Sequence, residues 1–82
     1  MKVGLQTARV TLYVVPDCPL CARARMWLES HNIAYTQRDV TDDFAALRRM
    51  YKLTRQRYVP VFETQDITLV RPSEAELARF LM

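Results

Sequence analysis

The chain has 82 residues, of which half are hydrophobic, 26% are charged and one is glycine. This length suits one domain with one core, and the composition excludes disorder, collagen-like structure and flexible linkers. Twelve basic residues against nine acidic ones give a net charge of +3. That imbalance is too small to predict nucleic-acid binding without a recognition motif, so we expect none.

Residues 1–8 are interpreted as a short tail ahead of a single domain over 9–82. The tail lacks the apolar core and cleavage site of a signal peptide. Charged residues interrupt every later stretch before it reaches the roughly 18–20 apolar residues that cross a bilayer. We therefore expect a cytoplasmic protein with no membrane segment.

The first half of the domain predicts a strand, a helix and a second strand. Arg9–Val15 is a β-branched and aromatic run with little alternation, which favours a strand buried on both faces. From Pro19 the apolar residues take helical spacing, at Leu20, Ala24, Trp27 and Leu28. The helix is expected to end near His31, a capping or surface residue, with Asn32 in the left-handed conformation. Ile33–Val40 is the second predicted strand.

The second half predicts a helix, a hairpin and a last helix. Thr41 is the expected N-cap of a helix that ends near Leu53. The apolar face of that helix contains Phe44, Leu47, Met50 and Tyr51. Val59–Glu63 and Ile67–Val70 are short apolar runs joined by a connection of hairpin length. Ser73 then opens a capping box ahead of the last helix.

The order of elements is therefore β-α-β-α-β-β-α, which defines an α/β fold. A β-α-β unit makes its two strands parallel through a right-handed crossover, and the later hairpin adds antiparallel strands. We expect a four-stranded mixed sheet flanked by three helices. Open sheets of this kind place their sites at the carboxyl ends of strands, and Cys18 and Cys21 follow the first strand.

Cys18 and Cys21 are the only cysteines in the chain. Two thiols are too few for the disulfide framework of a small secreted domain and, with His31 well downstream, for a zinc site. A disulfide across so short a loop would restrict the unfolded chain only weakly. A strand followed by the motif Cys18-Pro19-Leu20-Cys21 and then a helix favours redox chemistry. The alternative is a pair of ordinary buried cysteines.

The position of the predicted helix gives each cysteine a different role. If the helix begins directly after Cys18, Pro19 takes the first helical position, where its missing N–H has no cost. The Cys18 sulfur then faces free backbone N–H groups and the positive end of the helix dipole, which favour thiolate over thiol. Cys21 lies one turn later, within reach. These positions predict thiol exchange, in which Cys18 attacks a substrate disulfide and Cys21 resolves the mixed disulfide.

A basic cluster contains Arg48, Arg49, Lys52, Arg55 and Arg57. We interpret this cluster as a solvated helix end and loop. The alternative is a docking patch for an acidic partner protein, because a guanidinium group fits a carboxylate.

Several segments resemble the glutaredoxin family of the thioredoxin-like superfamily. They are Thr11-Leu12-Tyr13, Pro16-Asp17-Cys18-Pro19-Leu20-Cys21, Ile33-Ala34-Tyr35, Arg38-Asp39-Val40 and Arg57-Tyr58-Val59-Pro60-Val61-Phe62. The resemblance covers about residues 9 to 82 and implies a thioredoxin-like fold, a nucleophilic Cys18, a resolving Cys21 and a cis Val59-Pro60 bond. It also implies substrate contacts, which we assign to Tyr13, Pro19, Leu20, Arg57, Val59 and Pro60.

Some of these assignments have alternatives. The backbone of Val59 beside a cis proline is expected to pair with an extended peptide or glutathione, whereas a trans Pro60 would begin an edge strand. Core packing is the alternative role of Tyr13. The chain also departs from glutathione-binding members of the family. It has no lysine shortly before the first cysteine, Tyr58 replaces a threonine, and residues 68–73 contain no glycine.

The predicted function is that of a monomeric dithiol-disulfide oxidoreductase that reduces protein disulfides or glutathione mixed disulfides. We expect no metal and no tightly bound cofactor. Glutathione is a candidate co-substrate and an alternative ligand of the basic cluster. Thioredoxin reductase is an alternative electron donor. Two other classes stay open: an interaction or redox-switch domain, and an iron–sulfur carrier in which Cys18 of two chains and glutathione hold the cluster.

Overall fold

The computed structural model of the protein describes residues 9–82, and the predicted tail lies outside them. The described residues form seven elements in the predicted order. These are β1 (Val10–Val14), α1 (Pro19–Ser30), β2 (Tyr35–Asp39), α2 (Phe44–Thr54), β3 (Val61–Glu63), β4 (Thr68–Val70) and α3 (Glu74–Leu81). None of the helices within 9–82 has the length and apolar character that a bilayer crossing requires.

The four strands form one mixed sheet in the order β2-β1-β3-β4. β1 pairs in parallel with β2, as the β-α-β unit predicts. It pairs antiparallel with β3, with Leu12 opposite Phe62 and Tyr13 opposite Val61. β3 and β4 form the predicted antiparallel hairpin. The expected α/β fold, a four-stranded mixed sheet with three helices, is confirmed.

Helices cover both faces of this sheet. Successive side chains of a strand point to opposite faces, so Phe62 and Glu63 of β3 lie on different sides. On the Glu63 side, Arg49 of α2 donates to the carboxylate. On the Phe62 side, Trp27 of α1 and Leu77 of α3 line one cavity with Phe62. α2 therefore covers one face, and α1 and α3 cover the other.

The end of α1 follows the prediction at Asn32. This residue has φ 56°, in the left-handed region, directly after the helix. The N–H of Asn32 donates to the Glu29 carbonyl at 3.1 Å, and the N–H of Ile33 donates to the Leu28 carbonyl at 3.0 Å. This pair of bonds is the Schellman motif. Because Ile33 closes the helix in this way, β2 starts at Tyr35, later than predicted.

The predicted cap of α2 is wrong. The capping residue is Asp43, whose carboxylate accepts the Ala46 N–H at 3.0 Å, and not Thr41. Thr41 instead donates its N–H and its hydroxyl to the Asp39 carboxylate. The same Asp43 carboxylate forms an ion pair with Arg38 at 3.2 Å. The Asp43 carboxylate thus accepts from a helix N–H and also pairs with an arginine of β2. The hydroxyl of Thr41 carries no charge and cannot form such an ion pair.

The last third of the chain agrees more closely with its prediction. β3 begins at Val61 and not at Val59, since Pro60 has no N–H to donate to a ladder. The capping box before α3 is present. The Ser73 N–H donates to the Glu76 carboxylate at 2.8 Å, and the Glu76 N–H donates to the Ser73 hydroxyl at 3.1 Å.

Candidate active site

Cys18 caps α1. β1 ends at Val14, and the chain turns through Asp17, which has φ 56°, before the helix begins at Pro19. Cys18 is extended, with φ −109° and ψ 108°, and its Sγ accepts the backbone N–H of Cys21 at 3.1 Å. The predicted positions of Cys18 as N-cap and Pro19 as first helical residue are confirmed. The sulfur therefore lies at the positive end of the helix dipole.

The two thiols differ in exposure. Cys18 is half-buried, whereas Cys21 is fully buried at 0% exposure, and both cysteines are free. Burial, followed by the hydrogen bond with Cys18, raises the pKa of the Cys21 thiol to about 11. At neutral pH the inner thiol is therefore protonated, and the outer sulfur is the one that solvent can reach.

A cavity of about 220 Å³ lies beside the cysteine motif. Leu20 from the motif and Pro60 both line it, so the structure brings together two of the predicted substrate contacts. The Val59-Pro60 bond is cis, as the resemblance implies. Val59 is buried, and its carbonyl already accepts a hydrogen bond of 2.7 Å from Nε of Arg71.

The structure does not bring Tyr13 to this cavity. Tyr13 is fully buried, and its hydroxyl donates to the Glu63 carboxylate at 2.6 Å. Burial and then this hydrogen bond raise the pKa of Tyr13 to about 12. Its side chain lies on the α2 face, away from Phe62 and the cavity. Tyr13 pairs with Val61, which shares its face, and the next residue of β3, Phe62, points to the other side. These contacts agree with the alternative role of Tyr13 in core packing, and we do not assign Tyr13 to substrate binding.

Arg57 does not line the cavity that Leu20 and Pro60 line. It is exposed and lines a separate groove of about 710 Å³ along α2. The groove is also lined by Arg48, Arg49, Lys52 and Arg55. The basic cluster is thus an exposed helix end and loop, and its alternative role in docking stays a prediction.

Sequence reasoning missed Arg71. This residue lines the cavity and has φ 47°, in the left-handed region where glycine is favoured. The available signal was the absence of glycine from residues 68–73, which indicated only a lost glutathione contact. In the structure Arg71 itself takes the left-handed conformation, and its guanidinium lies over the Tyr58 ring, 4.9 Å from the centre.

Within residues 9–82, no group of three or more histidine, cysteine or acidic side chains is placed to hold a metal ion. The iron–sulfur alternative requires a second chain and glutathione, and it stays a prediction. The expected absence of a bound cofactor is a prediction as well.

A family model described as Glutaredoxin matches residues 10–66. The chain belongs to the glutaredoxin family. The matched region contains Cys18, Cys21 and Pro60, so the resemblance seen in these residues is confirmed. The thioredoxin-like fold of this glutaredoxin is shared by a crystal structure of a mutant of the thioredoxin-like protein BC3987. That structure has a TM-score of 0.83 at 25% identity and covers 92% of this chain and 96% of its own.

Two curated relatives of this glutaredoxin differ in length. One is an uncharacterized glutaredoxin-like 8.6 kDa protein in a rubredoxin operon of Clostridium pasteurianum, 29% identical over 72 residues, which cover 88% of this chain and 96% of that protein. The other is global transcriptional regulator Spx 1 of Oceanobacillus iheyensis, 41% identical over 46 residues, which cover 56% of this chain. The match spans only 35% of the regulator's own length. Family membership therefore leaves the activity open.

Proposed function

We propose that this glutaredoxin is a dithiol-disulfide oxidoreductase that reduces protein disulfides or glutathione mixed disulfides through Cys18 and Cys21. The observation that carries the proposal is the Cys18 sulfur at the start of α1, which accepts the Cys21 N–H at 3.1 Å. Hydrogen bonds from N–H groups are stronger to an anion than to a neutral acceptor. This bond holds the Cys18 sulfur at the positive end of the helix dipole, where it is oriented for attack on a substrate disulfide.

The first step is attack by Cys18. Cys18 is only half-buried, whereas Cys21 is buried, so a substrate disulfide can approach Cys18. A bond forms between Cys18 Sγ and one substrate sulfur, and the substrate S–S bond breaks. The other substrate sulfur leaves as a thiolate, and a mixed disulfide remains.

The second step uses Cys21. Its raised pKa of about 11 keeps it protonated at neutral pH, so it does not compete for the incoming disulfide. After it loses its proton to solvent, Cys21 attacks Cys18 Sγ, and the bond between Cys18 and the substrate breaks. The second substrate thiolate leaves and the Cys18–Cys21 disulfide forms. Two electrons have passed from the protein dithiol to the substrate disulfide.

The protein disulfide must then be reduced by an electron donor. We propose glutathione or thioredoxin reductase for this step, as the family resemblance implies. The exchange itself uses only the two thiols, so the proposed reaction needs no tightly bound cofactor.

Single-turnover reduction by the pre-reduced protein tests the proposal without a choice of donor. A fluorescent peptide disulfide is mixed with an excess of protein, and thiol release is followed. We expect complete release by the wild-type protein and none by Cys18→Ser. Cys21→Ser should accumulate a mixed disulfide of one protein and one peptide, visible by mass spectrometry. Protein with both thiols alkylated is the control, and undiminished reduction by Cys18→Ser would exclude the proposed mechanism.

A second candidate function is a redox switch, in which formation of the Cys18–Cys21 disulfide controls binding to another protein. The observation that favours it is the 41% identical segment in a relative named as a global transcriptional regulator. Repeated turnover separates the two functions. With NADPH and either thioredoxin reductase or glutathione plus glutathione reductase, an oxidoreductase converts many disulfides per protein. A switch is oxidised once and converts no further substrate.

A further inference from the structure

The backbone of Arg71 is fixed beside the cis proline. Arg71 follows β4 directly and has φ 47°, a conformation that costs energy for any residue with a side chain. Its N–H donates to the Pro60 carbonyl at 3.0 Å. The side chain therefore starts from a defined point at the edge of the cavity that Pro60 and Leu20 line.

Two contacts orient the Arg71 guanidinium. Its Nε donates to the Val59 carbonyl at 2.7 Å, and its Cζ lies 4.9 Å from the centre of the Tyr58 ring. A rigid fork of donors stacked on an aromatic face has little freedom to rotate. Within residues 9–82, neither terminal nitrogen of Arg71 donates to a protein acceptor.

The charge of Arg71 has no ion-pair partner in the described part of the chain. The two ion pairs found there involve Arg38 and Arg49. Glu74 lines the same cavity without forming an ion pair with Arg71, and Arg23 adds a second cation. The described lining therefore has two cations against one carboxylate, which favours an anionic ligand group.

Leu20 connects this positive cavity to the reacting thiols. It stands between Cys18 and Cys21 in the chain and lines the cavity with Pro60. At about 220 Å³, the cavity is smaller than the roughly 300–1,000 Å³ of a drug-sized ligand site. Its size suits one side chain, or a small part of a substrate, next to a disulfide bonded to Cys18.

We propose that Arg71 is a specificity-determining residue that selects disulfides with a carboxylate next to the reacting sulfur. The inference rests on the proposed reductase function and names a substrate class for it. A carboxylate accepts charge-assisted hydrogen bonds from the terminal nitrogens of a guanidinium. A neutral substrate that covers the cavity removes water from those nitrogens and offers no equal partner, so it binds less well. The carboxylate can come from an acidic residue of a protein or from glutathione.

Two peptide disulfides test this inference, identical except for Asp or Asn beside the cysteine. We expect the pre-reduced wild-type protein to reduce the Asp peptide about tenfold faster, which corresponds to one charge-assisted hydrogen bond. In Arg71→Gln the ratio should fall to about one, and in Arg71→Lys, which keeps charge without the fork, to about threefold. Arg79→Gln is the matched control, because Arg79 also stacks on a ring, Phe80 at 5.4 Å, outside the cavity. It should keep the wild-type ratio.

The ratio of the rates for the Asp and Asn peptides is measured first in the wild-type protein. It therefore tests the preference for a carboxylate even if an Arg71 variant does not fold. Equal rates for the two peptides would overturn the role of Arg71 and leave the proposed reduction standing. No reduction of either peptide would overturn the proposed function as well. A preference that Arg79→Gln also removes would assign the effect to the overall charge of the protein and overturn the role of Arg71.

A second pair of substrates identifies the source of the carboxylate. It consists of one neutral peptide joined by a disulfide either to glutathione or to glutathione dimethyl ester. An Arg71-dependent preference for the free acid supports glutathione as the substrate that Arg71 selects. A preference found only with the Asp peptide supports acidic protein disulfides. No preference in either pair contradicts the inference.

Discussion

The two faces of the sheet use similar polar side chains in different ways. On the α2 face, the Tyr13 hydroxyl and the Arg49 guanidinium both donate to the Glu63 carboxylate. On the opposite face, Arg71 donates from Nε to a backbone carbonyl, and Cys18 accepts one backbone N–H. The side chains of Tyr13, Arg49 and Glu63 therefore satisfy one another. Arg71 instead keeps its terminal nitrogens unpaired within residues 9–82, and Cys18 stays partly exposed.

This difference separates stability from function. Buried polar groups that satisfy one another stabilise a fold, and removing one leaves its partner desolvated and unpaired. A group that the protein orients while leaving some of its donor or acceptor atoms unpaired is ready before a ligand arrives, so little entropy is lost on binding. We therefore expect changes at Tyr13 and Glu63 to alter unfolding, and changes at Cys18, Cys21 and Arg71 to alter reaction rates.

The largest expected effect beyond the cysteine substitutions is the pH dependence of the resolving step. Below a pKa of about 11, the thiolate fraction of Cys21 rises about tenfold with each pH unit. In the mixed disulfide the contributions of Cys18 to this pKa are absent, but burial, its largest cause, remains. Only the thiolate attacks, so release of the second substrate thiol should accelerate more than about twentyfold between pH 7 and pH 9. Rapid mixing of reduced protein with a peptide disulfide labelled on both halves measures the two releases separately.

Cys21→Ser is the control for this measurement, since its second release should be absent at every pH. A second release in the wild-type protein that is equally fast at pH 7 and pH 9 would contradict a resolving role for a buried, protonated Cys21.

The features that were predictable from the sequence depend on neighbouring residues. The start of α1 is one example, since Cys18 and Pro19 meet the requirements of a cap and a first helical position by themselves. The capping box at Ser73 and the left-handed Asn32 are equally local. The positions of the two cysteines at the start of α1 are therefore predictable from local sequence alone.

The features that were missed depend on contacts between distant segments. Thr41 and Asp43 are both acceptable caps, and Arg38 on β2 pairs with only one of them. Tyr13 has its role because α2 covers its side of the sheet, which the run of residues in β1 does not reveal. Arg71 reaches Val59 only after β3 and β4 have paired. Local sequence contains none of this information.

The next effect in size concerns the buried hydroxyl of the α2 face. Tyr13→Phe should lower the free energy of unfolding by about 1–1.5 kcal/mol, because a buried hydrogen bond to a charged group is lost. Tyr35→Phe is the matched control. The Tyr35 hydroxyl also donates to a glutamate, Glu29, at 2.6 Å, but at an exposed site, so its loss should cost less than about 0.5 kcal/mol.

Urea denaturation of the two variants and the wild-type protein measures this difference. Equal losses of stability would show that burial does not distinguish the two hydroxyl groups. A raised KM for disulfide substrates in Tyr13→Phe would instead restore the predicted contact between Tyr13 and substrate.

The smallest expected effect is the response of the α2 face to acid. Hydrogen bonds from Arg49, and more weakly from Tyr13, hold the pKa of Glu63 below its ordinary value of 4.5. A group with a lowered pKa in the folded state binds fewer protons there than in the unfolded chain. Its contribution to stability is therefore complete above pH 4.5 and is lost as the pH falls through the folded value. The urea midpoint should decrease over this range.

Arg49→Gln should make that decrease shallower, because the main cause of the lowered Glu63 pKa is removed. Some slope should remain, since the Asp43 pKa is also lowered, by the Ala46 N–H and by Arg38. Arg48→Gln removes the same charge from the neighbouring position, where the arginine lies over the Phe44 ring and forms no ion pair within residues 9–82. It should retain the wild-type slope. If both variants lose the slope equally, net charge explains the acid response, and Glu63 with its partners does not.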